Sequence, residues 1–274
     1  IVTQINGPDT DAFEPSVSRK KLMRPTALTN KPTVWLLRLL LLLLAGAPAL
    51  ALDPSRDLSQ FSAQFWLTEH GLPQNTVHSI AQAKDGYVWL ATEEGLARFD
   101  GIKFTIFDKQ NTPELKSNDV RVLLEDRRGA LWIGTAVGLV RLLDAKFTPS
   151  TTENGLPSSV IDALCEDHDG SLWVATAAGM VRLRDGVFAL PAAQWQFPKD
   201  GVKALFEDRE GTLWMGSSDG LARYKDGPVA KYTTQDGLAS NSVVSIIQDK
   251  DGRLWVGTTD GLNQLEGDRF VTYT

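Results

Sequence analysis

From Val77 onward the chain alternates apolar and polar residues in short runs, and glycine-bearing turns cut the runs apart. Val77–Ala83 alternates as a half-buried strand does, and Lys84-Asp85-Gly86 supplies a hairpin turn with a glycine free to take positive φ. Tyr87–Thr92 reads as the second strand and Glu93-Glu94-Gly95 as the second turn. Leu96–Asp100 is the third strand, Gly101-Ile102 the third turn, and Lys103–Phe107 the fourth strand. Four antiparallel strands in about forty residues make one blade of a β-propeller. Helical periodicity is absent after residue 52, which excludes a solenoid of helix pairs.

The same pattern returns four more times. Tryptophans stand at 89, 132, 173, 214 and 255, spaced 43, 41, 41 and 41. A glycine followed by Leu or Met comes six residues after each: Gly95, Gly138, Gly179, Gly220 and Gly261. Strand alternation puts each Trp on one face with the residue two further on, which is Ala91, Gly134, Ala175, Gly216 or Gly257. A large ring beside a missing side chain lets the next blade close on the sheet, and burying it removes about 150–250 Å² from water. The Trp and Gly columns are therefore read as blade-to-blade packing.

The predicted blades cover 69–108, 109–150, 151–190, 191–232 and 233–274. Residues 61–68, ahead of them, align with the outer strand of the fourth unit and read as an orphan fourth strand. Such a strand closes a propeller by joining the blade formed at the other chain end. The fifth unit stops on its own outer strand, so the expectation is a truncated ring.

The N-terminus changes the picture of where the protein works. Arg24, Lys31 and Arg38 flank or interrupt WLLRLLLLLLAGAPALA, which ends in Ala49-Leu50-Ala51. A basic region, a short apolar core and an A-x-A site form a signal peptide, read here over 23–51, with export to the periplasm. Met23 is its expected start, leaving 1–22 as an upstream segment and 52–60 as a linker. The alternative is an uncleaved anchor, although the apolar run after Arg38 is shorter than the ~20 residues of a spanning helix.

Net charge is −6 over 274 residues. Six of the 28 basic and three of the 34 acidic residues lie in 1–51, so the remainder holds 22 basic against 31 acidic groups, or −9. That surface, with no basic cluster, excludes nucleic acid as the partner. The single Cys165 excludes a disulfide framework and a cysteine zinc site, and reads as a small buried hydrophobe.

DGYVWLATEEGLARFDG and DGRLWVGTTDGL, preceded by WLTEHGLPQNTV, resemble the two-component regulator propeller repeat over residues 61–274. The resemblance implies an all-β propeller, usually seven-bladed, forming the periplasmic sensor of a transmembrane receptor. Downstream partners in the same chain would be a tyrosine-rich domain, a membrane helix and a histidine kinase, or a diguanylate cyclase. A homodimer and a small-molecule or oligosaccharide ligand go with that reading. The fragment itself is then no enzyme. The rivals are a lyase or hydrolase of the streptogramin-lyase type and a scaffold for protein partners.

Candidate chemistry is sparse. His70, His78 and His168 are the only histidines, and no glycine-rich nucleotide loop occurs, so neither cofactor nor catalytic residue is expected. His70 and His168 read as solvated loop residues. The acidic turns Glu166–Gly170 and Gln248–Gly252 lack the calcium-loop spacing, and no metal is expected. Arg98, Arg141, Arg182 and Arg223, nine residues after each Trp, read as stem-packing residues with ligand clamping as the alternative.

In a four-stranded meander the loop leading into strand one and the turn between strands two and three share one end. Polar variation concentrates there, and loops on a rigid scaffold carry function. The ligand-binding candidates are Asn75, Asn118 and Asn241, which also suit turn capping, together with Glu93, Glu94, Asp219 and Asp260. Trp195 and Gln196, in the longest lead-in loop and outside the repeat register, complete the set.

Overall fold

A computed structural model describes residues 65–191, 201–225 and 228–273. The leader at 23–51, the first half (61–64) of the strand expected at 61–68, and Trp195 and Gln196 lie outside the described residues. Among those described, twenty strands form five four-stranded antiparallel sheets, each in simple sequence order. Blade 1 is β1 (Val77–Gln82), β2 (Val88–Thr92), β3 (Gly95–Phe99) and β4 (Phe104–Phe107). Blade 2 is β5 (Val120–Glu125), β6 (Leu131–Thr135), β7 (Gly138–Leu143) and β8 (Lys146–Ser150). Blade 3 is β9 (Ile161–Glu166), β10 (Leu172–Thr176), β11 (Gly179–Arg184) and β12 (Val187–Ala189). Blade 4 is β13 (Ala204–Glu207), β14 (Leu213–Ser217), β15 (Gly220–Tyr224) and β16 (Ala230–Tyr232). Blade 5 is β17 (Val243–Gln248), β18 (Leu254–Thr258), β19 (Gly261–Glu266) and β20 (Arg269–Tyr273). No helix among the described residues is long and apolar enough to cross a membrane.

The core lies between blades rather than within them. One apolar cluster joins Trp89, Ala91 and Leu96 of blade 1 to Leu115, Val120 and Ile133 of blade 2 or the loop leading into it. Equivalent clusters join blades 2 and 3, 3 and 4, and 4 and 5. The small residue two positions after each Trp is what allows this approach. A Cβ on Gly134 would stand 2.7 Å from the Ile161 side chain, and one on Gly216 would stand 2.5 Å from Val243, each in the next blade. Cys165 sits opposite Trp173 in this core, and burial pushes its thiol up to about 12.

Each second turn is held by its hydroxyl residue. Thr92, Thr135, Thr176, Ser217 and Thr258 donate to the carbonyl of the glycine three residues on, at 2.8–3.1 Å. That glycine already belongs to the third strand. At Gly220, φ is +126° and a Cβ would meet the Tyr232 carbonyl at 2.5 Å, so no other residue fits without moving the fourth strand.

The opposite end of each blade is built around the tryptophan. An aspartate six residues before it accepts the indole N–H: Asp126 from Trp132 at 2.8 Å, Asp167 from Trp173 at 3.0 Å, Asp208 from Trp214 at 2.8 Å, Asp249 from Trp255 at 2.9 Å. The other carboxylate oxygen caps the hairpin, as Asp208 does for the N–H groups of Glu210 and Thr212 at 3.0 and 2.9 Å. At Asp249 the indole N–H is the main cause of a carboxyl held below its usual range. Arg98, Arg141, Arg182 and Arg223 lie directly across from the tryptophans, each guanidinium carbon 5.5–5.9 Å from the indole ring.

A latch then joins each hairpin to the next blade. The backbone N–H groups of Lys84, Arg127, His168 and Arg209 donate to Glu125, Glu166, Glu207 and Gln248, the last residues of the following first strands. The Lys84, Arg127 and Arg209 side chains continue to hairpin carbonyls of that blade. His168 instead pairs its Nδ1 with the Glu207 carboxylate. His168 is thus the exposed loop residue expected from the sequence, and it also serves as a latch. His70 is likewise exposed, and its Nδ1 accepts the Leu67 N–H at 3.1 Å and closes the short turn Thr68–His70.

Residues 65–67 form no strand here, and Trp66 rests edge-on against Phe99 with ring centroids 5.0 Å apart.

Candidate functional site on the lead-in face

The structure separates the predicted site residues by what already occupies them. The side-chain oxygens of Asn75, Asn118 and Asn241 accept the backbone N–H groups of Thr68, Lys109 and Thr234 at 2.9–3.0 Å. They seat the incoming chain on each blade, so their carbonyls are committed to capping. Glu93 and Glu94 are exposed in the second turn of blade 1, where Glu93 lies 3.4 Å from Gln74 Nε2 and 3.7 Å from His78 Nε2. Asp219 pairs with Lys231, and Asp260 is exposed on the equivalent turn of blade 5.

A column that sequence reading missed runs through the same end. The residue eleven before each tryptophan is His78, Arg121, Asp162, Lys203 and Val244. Each is at the start of a first strand or, for Lys203, just before it. Four of the five are polar and ionisable, yet no two are alike. Arg121 donates to Asp119 through Nε and a terminal nitrogen at 3.1 and 3.0 Å, and its other terminal nitrogen lies 3.8 Å from Asp162. Lys203 Nζ approaches the same Asp162 oxygen at 2.9 Å. The Asp162 side chain is 6% exposed, and its second oxygen, Oδ2, has no partner among the described residues. Leaving a buried acceptor unmet costs roughly 1–3 kcal/mol, which marks this carboxylate for explanation. A cavity of about 320 Å³ at the same end is lined by His78, Glu93, Asp119 and Arg121, the last of which also approaches Asp162.

The arrangement can bind a polar ligand, offering an Arg and a Lys as donors and carboxylates as acceptors across three blades. A histidine and a carboxylate do meet at this face, in His78 and Glu93. Among the described residues no three His, Cys, Asp or Glu side chains are grouped to hold a metal ion. At the other end, the acidic turns that suggested calcium spend their carboxylates on protein donors. Asp167 accepts from Ser171, Trp173 and Arg182, and Glu166 from the Arg127 N–H.

Five four-stranded sheets in chain order, joined through a repeated Trp column, define a β-propeller with one non-repeating polar face. Residues 71–94, 114–136, 155–178, 196–219 and 237–260 each match the two component regulator propeller repeat. The chain belongs to that family. Its fold is similar to a solved protein from B. thetaiotaomicron assigned as the extracellular domain of a hybrid two component system, BT3049. That match has a TM-score of 0.67 and 26% identity, over 76% of this chain and 31% of the other. The extracellular domain assigned to the one component system BT4673 of the same organism gives 0.60 and 22%, over 69% and 27%. Virginiamycin B lyase from Staphylococcus aureus gives 0.57 and 16%, over 72% and 69%, a likeness of fold alone. This chain therefore spans about a third of the length of the two-component and one-component domains it resembles. No curated protein matches it.

Proposed function

We propose that this chain is the ligand-sensing propeller of a transmembrane signalling receptor, exported by residues 23–51 and working in the periplasm. The family and the 26% identity to an extracellular domain of a hybrid two component system support that placement. Histidine kinase modules on the same parent chain would carry the output, with a diguanylate cyclase as the other output of this architecture. The ligand would be a small polar molecule or an oligosaccharide bound on the lead-in face. One observation carries the site: a buried carboxylate, Asp162, whose Oδ1 is approached by Arg121 and Lys203 while its Oδ2 is unmet. Hydroxyl groups of a ligand would donate to that oxygen and accept from the two cations.

Calorimetric screening of the chain against oligosaccharides tests the site. A binding partner is expected whose affinity falls at least tenfold in Asp162→Asn and in Arg121→Ala, with the fold unchanged by circular dichroism. A partner insensitive to both substitutions places the site elsewhere. For the receptor, the encoding reading frame past residue 274 should carry a spanning helix and a kinase or cyclase module. A frame that closes two blades later removes the receptor reading and leaves the site to be judged by the titration.

A further inference from the structure

Blade 1 breaks the rule that the other four obey at the hairpin end. Six residues before Trp89 stands Ala83, where the other blades have aspartate. Asp85 takes over part of the missing role by accepting the Tyr87 N–H at 3.1 Å. It does not replace the indole acceptor: Trp89 is 4% exposed, and no described residue accepts from its N–H, which is not one of the sealed, unmet polar atoms of the core. Arg98, opposite it, makes no ion pair among the described residues and lies over the Tyr87 ring at 4.4 Å, its Nε buried and unpaired as are those of Arg141 and Arg182. In blade 3 the equivalent Arg182 reaches the shared aspartate at 2.6 Å, so the register allows such a pair.

The space the missing carboxylate vacates is open. Between blades 1 and 2 lies a cavity of about 480 Å³. The corresponding space between blades 2 and 3, where Asp126 fills the position, is about 190 Å³. Trp89, Phe107 and Phe147 wall the larger cavity, with ring centroids 5.5 and 5.6 Å apart in sequence, and Leu131 and Leu142 add apolar surface. Asp85, Arg128 and Asp144 are exposed on its lining.

We propose that this cavity is a second binding site, distinct from the lead-in face, for a small monocarboxylate with a flat apolar body. The ligand's carboxylate takes the place that an aspartate side chain holds in blades 2 to 5. The indole N–H of Trp89 and the Arg98 guanidinium, held over Tyr87, are donors only, so the head group must be an acceptor, and the cation favours a negative one. Asp85, Asp144 and the Glu125 carboxylate on the lining disfavour a second negative charge, which separates a monocarboxylate from a dicarboxylate. The three rings supply the stacking surface for the body.

The test uses the chain labelled with ¹⁵N-tryptophan, the Trp89 indole resonance being identified by its loss in Trp89→Phe. Phenylacetate is expected to move that resonance saturably, and uncharged benzyl alcohol and dianionic succinate to bind at least tenfold more weakly. Ala83→Asp, which copies the other four blades, should raise the melting temperature and abolish the phenylacetate shift. Arg98→Gln should weaken phenylacetate at least fivefold, and decides the matter should Ala83→Asp fail to fold. A resonance that neither phenylacetate nor acetate moves means the cavity holds only water, and overturns the proposal. So does undiminished binding in a folded Ala83→Asp.

Discussion

The two ends of each blade are made by opposite means. At the hairpin end the same few bonds recur: aspartate to indole, a basic residue's N–H to the side-chain oxygen of the next blade's Glu or Gln, and its side chain to a hairpin carbonyl. At the lead-in end the backbone supports recur, through the asparagine caps and the hydroxyl-to-glycine bonds, but the ionisable side chains do not. Repetition marks what every blade needs to close on its neighbour. A column that changes from His to Arg to Asp to Lys cannot serve that common need, and is free to be read by something outside the chain.

Three measurements press on that contrast, the first being the largest. Trp173 is 5% exposed and anchors both the inter-blade core and the hairpin of blade 3. Trp173→Ala is expected to cost about 3–5 kcal/mol in denaturant unfolding. A loss below about 1 kcal/mol would mean that the column does not hold the blades together.

The second compares the ends directly. Asp208→Ala strips the acceptor from the Trp214 indole and from two hairpin N–H groups, and should cost about 1–3 kcal/mol. Arg121→Ala removes partly exposed ion pairs at the lead-in end and should cost less than about 1 kcal/mol. Equal losses would show that the charged column is structural after all, and would weaken the binding reading along with the contrast.

Much of this was legible before any coordinates. The five blades, their strand order and the glycine and tryptophan columns follow from a period near 41 residues and from strand alternation. The aspartates six residues before tryptophan were equally visible, but they read as turn formers, since Asp-x-x-Gly explains itself locally. Only the side-chain direction of Trp132 or Trp214 reveals the second job of Asp126 or Asp208. Asn75, Asn118 and Asn241 stood out because they repeat, and for that reason they proved to be bound to backbone. Arg121, Asp162 and Lys203 were hidden by their unlikeness, since a motif search favours what recurs. Ala83 was hidden in the same way, its meaning lying in the difference from four other copies.

The smallest expected effect isolates one latch among four. His168 holds the blade 3 to blade 4 seam through the Glu207 carboxylate, where Lys84, Arg127 and Arg209 hold the others with permanent charge. Hydrogen bonding to Glu207, then the charges of Glu207 and Asp169, raise the imidazole above its ordinary value of 6.5. A raised folded value means that protonation favours the folded state. Its contribution is fully present below about pH 6.5 and is lost as the pH climbs through the folded value. The melting-temperature gap between the native chain and His168→Gln should therefore be larger at pH 6 than at pH 8.5, while the gap for Arg127→Gln stays flat between the same two points. His168 is exposed, so solvent screening keeps the difference small, on the order of a degree or two. A His168 gap that does not change with pH would mean the backbone N–H to Glu207 carries the whole seam and the imidazole merely covers it.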